Sequence, residues 1–356
     1  MDRTELAAPP FVREHRVSTA ARRLRIAWQT RTVSEPALGR LLGLFVLLVA
    51  AAAQAGLGHG PATQTFLLVF SSIVIEALPF ILLGALASAA IAVYLPERTL
   101  GSIARLPLGL QIPTAALGGV AFPVCECGSV PVARRLIARG VHPAAGITFM
   151  LASPVMNPIV LTSTWVAYGG HTRGAEMVVG RATLGLIAAT TAGWAIGRTR
   201  APDLLRARAS DHGDEHSHDD DHAGRGVAFA GHLVADFLFM GKFIVLGAAL
   251  SAFVQAALPE SFVSTLGGAP VLSSLALMAV AYLLSLCSEA DAFIAASFTS
   301  FTLGAQLAFL VFGPIADIKL SVLYGATFRR WFVPRLLLVT VPVIVVGSLI
   351  FEAMIR

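Results

Sequence analysis

The sequence predicts an all-α integral membrane protein of two related halves, arranged as inverted-topology repeats with broken helices or re-entrant hairpins. The 356 residues are 56% hydrophobic and only 13% charged, with mean hydropathy +0.76, whereas soluble domains carry about 25% charged residues. Several stretches run for about 18 residues or more almost without charge, the length a helix needs to span the hydrocarbon core. The second half of the chain also repeats features of the first.

Lipid offers no water to backbone N–H and C=O groups, so long apolar runs there must be helical. The alternating short segments of a membrane β-barrel are absent. The apolar runs are 41–57, 66–95, 108–124, 141–168, 177–196, 233–258, 271–287, 303–324 and 332–351. Some carry helix breakers: Pro79 close to Glu76, the run Ser153-Pro154-Val155-Met156-Asn157-Pro158, and Gly313-Pro314. Proline in a spanning helix frees carbonyls, which are tolerated where they line a cavity.

Residues 80–89 (FILLGALASA), ending at Leu95-Pro96-Glu97, match 243–252 (FIVLGAALSA), ending at Leu258-Pro259-Glu260, without a gap. Further on, Cys125 falls opposite Cys287, Phe149 to Pro154 opposite Phe309 to Pro314, and Asn157 opposite Asp317. The segments read as a basic tail (1–40), a first transmembrane helix (41–57), a first repeat (66–197), a linker (198–231) and a second repeat (232–356).

Charge placement orients the halves. Arg98, Arg105, Arg134, Arg135 and Arg139 bracket the region around Cys125, while no Lys or Arg lies between Lys242 and Lys319. Arg and Lys favour the cytoplasmic side, so the two regions are expected at opposite faces, each a hairpin that enters and returns on one side; full crossings are the alternative. The N-terminus and linker are then cytoplasmic, the C-terminus lies outside, and the protein is a multi-pass protein of the bacterial inner membrane. The pair Arg22-Arg23 stands too far from the first apolar run for a twin-arginine signal, and the run 41–57 reads as a spanning helix rather than a cleaved signal. The net charge of +5 is an orientation signal; no aromatic-interleaved basic patch points to nucleic acid.

The chemistry-bearing residues concentrate at the breaks. Three cysteines are too few, and odd in number, for a disulfide scaffold. In Pro123-Val124-Cys125-Glu126-Cys127-Gly128-Ser129-Val130-Pro131 two thiols flank a carboxylate; residues two apart do not share a helix face, but the Pro and Gly residues permit a turn where both sulfurs converge. Its counterpart Ser285-Leu286-Cys287-Ser288-Glu289-Ala290-Asp291 holds a third thiol and two acids, with Asp291 also placed to cap the helix that follows. A charge at the bilayer centre costs about 2.5–3.5 kcal/mol on insertion scales, so such residues usually face a cavity. Glu76, Asn157, Asp317 and Lys319 are further candidates; Asp317 and Lys319 would neutralise each other, or Lys319 would snorkel to the cytoplasmic edge. In the linker, His212, His216, His218 and His222 stand among carboxylates and would either bind metal loosely or be merely solvated.

These segments, with Gly140, Pro143, Ser153 to Pro158, Cys287 to Phe293, Gln306 to Phe309 and Gly313-Pro314, resemble the predicted bacterial permease family that includes the organoarsenical efflux permeases. The resemblance runs from about Phe66 to the C-terminus and leaves out the tail and the linker. It implies an inner-membrane permease with no cofactor, frequently paired with a small partner membrane protein, and for one branch it implies export of trivalent organoarsenicals. The Cys-Glu-Cys-Gly segment departs from the arsenical branch, which leaves the cargo open.

Cargo readings are therefore a thiophilic solute held by Cys125, Cys127 and Cys287, or a harder divalent ion such as Zn or Co held by Glu126, Glu289, Asp291 and the linker histidines. A third reading is a membrane thiol oxidoreductase using Cys125 and Cys127, although a disulfide between residues two apart is strained. In the thiophilic reading Glu126 takes the proton that a ligating thiol must release. No nucleotide-binding motif or hydrolase constellation is visible, so the chain reads as a transporter rather than an enzyme.

Overall fold

Short helices that start in the middle of the bundle dominate the architecture. A computed structural model describes residues 60–95, 106–121, 125–206, 225–257 and 270–355, all within the compact unit Val46–Arg356. The tail, the run 41–57 and the linker histidines His212, His216, His218 and His222 lie outside the described residues. The helices are α1 (Pro61–Tyr94), α2 (Leu108–Ala121), α3 (Glu126–Ala138), α4 (Pro143–Met156), α5 (Pro158–Ala167) and α6 (Thr172–Ile196). After a single turn at Ala201–Leu204 come α7 (Arg225–Ala257), α8 (Pro270–Leu284), α9 (Asp291–Ser297), α10 (Leu303–Phe312), α11 (Ile318–Thr327) and α12 (Phe332–Ile355). The described residues contain no strand, only an isolated bridge between Leu205 and Phe328.

This is an all-α membrane protein. Four described stretches are long and apolar enough to cross a bilayer: α1, α4 with α5, α7 and α12. In the α4–α5 stretch 78% of the apolar window is buried, against 22% in α12, so α4–α5 runs through the centre and α12 lies at the periphery.

Each breaker acts according to its neighbours. Pro79 sits inside an unbroken α1 of 34 residues. At Asn157-Pro158 the missing N–H does end a helix: Asn157 closes α4 with ψ 129, and its side chain accepts from Ile159 N at 3.0 Å to start α5. Asp317 performs the same task for α11, accepting from Leu320 N at 2.6 Å. Ser285, at φ 49, ends α8 in a left-handed conformation, and its hydroxyl accepts from Ile318 N at 3.2 Å.

Chain direction follows from the contacts. Arg139, just after α3, donates to Ile91 O at 2.8 Å near the end of α1. Arg134 donates to Thr327 O at the end of α11 and to Arg206 O, at 3.3 and 2.9 Å. The ring of Tyr94 of α1 lies tilted against that of Phe229 of α7, centroids 5.8 Å apart. The ends of α1, α3 and α11 and the start of α7 therefore share one end of the bundle, the arginine end. At the other end, Tyr168 after α5 donates to Gln306 Oε1 at 2.8 Å, and Gln306 donates to Phe298 O after α9 at 3.0 Å. Thus α3 and α11 leave the centre toward the arginine end, and α5 and α9 leave it toward the opposite end. All four short helices point their N-termini, the positive ends of their dipoles, at the middle.

Candidate functional site

The middle is where the sequence-selected acids meet. Glu126 is the first residue of α3, Asp291 the first of α9, and Asp317 and Asn157 are the N-caps of α11 and α5. Counted from the helix starts, Glu126 stands opposite Asp291, three residues beyond the register that pairs Cys125 with Cys287. Each acid faces a helix N-terminus, which stabilises negative charge there.

Cys125, Cys127 and Cys287 are all buried, free thiols, and all three border one cavity of about 290 Å³. Its wall also includes Glu126, Lys319 and Glu76, and it extends along α1 past Ser72 to Leu68, a residue 70% exposed. Cys125 is the N-cap of α3 yet makes no side-chain cap bond, which leaves its sulfur to the cavity. Cys125, the N-cap of α3, and Cys127, its second residue, border the same cavity. Among the described residues no three His, Cys, Asp or Glu side chains are grouped as a metal ion requires.

Two glycines at matching positions of 80–89 and 243–252 allow close helix packing behind this wall. A Cβ at Gly84 would run into the backbone of Gly128, and one at Gly247 would stand 2.6 Å from Lys319 Cα. Bare backbone at these two points lets α1 settle on the first turn of α3, and α7 on the first turn of α11.

One expectation needs correction. Lys319 does not snorkel to an edge: its side chain is 4% exposed, and Nζ lies 2.9 Å from Glu126 Oε1, 3.1 Å from Leu286 O and 3.6 Å from Asp317 Oδ2. Its first partner is Glu126, with Asp317 farther off. Glu126, between the two thiols of its segment, is held by Lys319 and by the Ser288 hydroxyl, which donates at 3.0 Å. The thiol–acid contact is Cys287 Sγ donating to Glu289 Oε2 at 2.8 Å, and Glu289 does not border the cavity.

Asp291 and Asn157 also stand apart from the cavity. Asp291 is not the cap of its helix: Ala290 holds that position and makes no side-chain cap bond. Asp291 instead receives both guanidinium nitrogens of Arg181, at 2.9 and 2.7 Å, and Arg181 also donates to Thr164 at 2.8 Å and Ser288 O at 3.3 Å. Sequence reasoning passed over Arg181, although a lone Arg within an apolar run is itself a signal.

At the arginine end α3 is clasped. Arg135 pairs with Asp236 of α7 at 3.1 Å and donates to Ser88 of α1 at 3.1 Å, and Ser88 donates to Asp236 at 2.6 Å. The clasp ties α1, α3 and α7 together at the end remote from Leu68.

The chain matches the sequence pattern of a family described as "Predicted permease" over residues 62–353. It is 38% identical over 290 residues to the UPF0718 protein YcgR of Bacillus subtilis (strain 168), covering 80% of this chain and 96% of that protein. It is 33% identical over 290 residues to a "Putative two-component membrane permease complex subunit" of Streptococcus mutans serotype c (strain ATCC 700610 / UA159), covering 81% and 95%. No solved structure matches it.

Proposed function

Since this chain belongs to the predicted permease family, we propose that it moves a small, uncharged, thiophilic solute, such as a trivalent arsenical, through the cavity bordered by its cysteines. The observation that carries this reading is that every thiol in the sequence borders one cavity. Thiolates select soft centres, and about 290 Å³ lies at the lower limit of ligand pockets, which favours a solute of few atoms.

The competing divalent-metal reading draws on Glu126 and Asp291, and both already serve a basic side chain. Glu126 and Asp317 attend Lys319, and Asp291 attends Arg181. Serine replacements of Cys125, Cys127 and Cys287, scored by methylarsenous acid binding to the purified protein and by resistance in a sensitised strain, test the proposal. Loss on replacing Cys125 or Cys127 is expected; binding that survives all three replacements sinks it.

The same proposal takes the halves as inverted-topology repeats with the arginine end in the cytoplasm, the chain being an inner-membrane exporter. The opposite exits of α3 and α9 support the inversion, and the arginines support the orientation. Single cysteines at Ser210 and Glu260 should label from opposite sides of the membrane; labelling from one side overturns it. By likeness to the Streptococcus mutans relative, the permease works with a second membrane subunit. Co-purification from the native membrane in mild detergent tests this, and a chain that transports alone at full rate argues against it.

A further inference from the structure

Lys319 places its ammonium among three buried oxygens. Its ammonium has three hydrogens to donate and faces three oxygens: Glu126 Oε1, the Leu286 carbonyl and Asp317 Oδ2. Two carboxylates and a carbonyl converge on one point, and Cys125, Cys127 and Cys287 line the cavity beside it; the surroundings are anionic and soft, which draws a cation, although the described side chains are not grouped as a ready-made metal site. The chain fills that oxygen cage with a cation of its own. The lysine cannot easily leave, because Gly247 of α7 lies against its backbone and its side chain is 4% exposed.

We propose that Lys319 is the specificity-determining residue of this permease: its tethered ammonium occupies a latent cation site beside the thiols, so that the cavity rejects metal dications and admits uncharged thiophilic solutes. The inference rests on the thiophilic reading above and adds what decides the charge of the cargo. The physics is that of two like charges in a poorly screened cavity. A dication seated against the thiols would meet the ammonium at short range, and the two carboxylates nearest that point, Glu126 and Asp317, are already paired with it. Without the ammonium, the same carboxylates become unpaired buried anions, which favour a cation strongly.

The experiment uses the full chain purified in detergent, with Cd²⁺ and methylarsenous acid as separate probes in equilibrium dialysis. The wild-type protein should bind methylarsenous acid and bind Cd²⁺ poorly. Lys319→Gln should bind Cd²⁺ on the order of 100-fold more tightly, given the strength of charge repulsion at such distances. Lys319→Arg, which keeps a cation, should resemble the wild type, and Lys319→Gln with Glu126→Gln should lose the gain. If Lys319→Gln folds only when Cd²⁺ is supplied during purification, that rescue also supports the proposal. Equal Cd²⁺ binding by wild type and Lys319→Gln overturns it, as does a matching gain in Lys319→Arg or a Lys319→Gln protein that stays unfolded with Cd²⁺ present. Failure of the underlying reading looks different: methylarsenous acid binding to the wild type would then be insensitive to all three cysteine replacements, whatever Cd²⁺ does.

Discussion

Two buried ion pairs lie close together in this bundle, joined by Ser288, yet they differ in what surrounds them. Lys319 and Glu126 have side chains 4% and 1% exposed, and Arg181 and Asp291 are 0% and 4% exposed. Exposure does not separate them. The first pair borders a cavity with three thiols. The second is packed among α5, α6 and α9, held by two parallel bonds to a planar guanidinium that also ties Thr164 and Ser288. A fork-to-carboxylate geometry fixes orientation, and here it locks α9 to α6. A buried charge is thus a strut where protein closes around it and a working group where space has been left beside it.

The largest expected effect comes from breaking the strut on one side. Arg181→Met leaves Asp291 buried and unpaired, which costs about 3–5 kcal/mol and should sharply lower the unfolding temperature in detergent. Adding Asp291→Asn should recover most of that loss and transport with it; a double variant that folds but does not transport would move this pair into the working class. The cavity pair should answer in cargo choice as well. Glu126→Gln with Lys319→Met should fold better than Lys319→Met alone and should lose the Cd²⁺ binding that Lys319→Met alone gains, read by competition between methylarsenous acid and Cd²⁺.

A smaller effect tests the close approach that shapes the cavity wall. Gly247→Ala forces a methyl onto the Lys319 backbone, an overpacking cost of about 1–3 kcal/mol, and should depress solute binding more than Gly325→Ala, where space is open. Equal binding in both would mean that the packing of α7 does not set the wall. Loss of a cap is smaller again: Asn157→Ala should cost about 0.5–2 kcal/mol with solute affinity unchanged, since Asn157 lies outside the cavity. Deleting residues 211–222 should change neither unfolding temperature nor transport, because the stretch is polar and has no apolar face to pack; loss of transport in a protein still present in the membrane would bring the linker into the pathway.

Much of this was legible in the sequence because it was local. Asn157-Pro158 and Gly313-Pro314 announce helix ends through missing donors and forced dihedrals, and the matched Gly84 and Gly247 mark equivalent close contacts. Pro79 misled, since a proline in a long lipid-facing helix is tolerated without a break. What remained hidden is pairing across distance. Lys319 and Glu126 are 193 residues apart, and Arg181 and Asp291 are 110 apart. Nothing within a local window indicates which acid answers which base, and Asp317, two residues from Lys319, was the natural but secondary choice. Arg181 was hidden for a different reason, as a single polar residue averaged away inside an apolar run.

The helix α3 begins at the thiols and ends in the arginine clasp. Thirteen residues make a stiff rod of about 20 Å, too short to bend appreciably and, apart from Pro131, without an interior breaker. Gly84 packs against Gly128 near the thiol tip of that rod, so by geometry alone any tilt about this contact would displace the arginine end farther than it displaces Cys127 and Glu126.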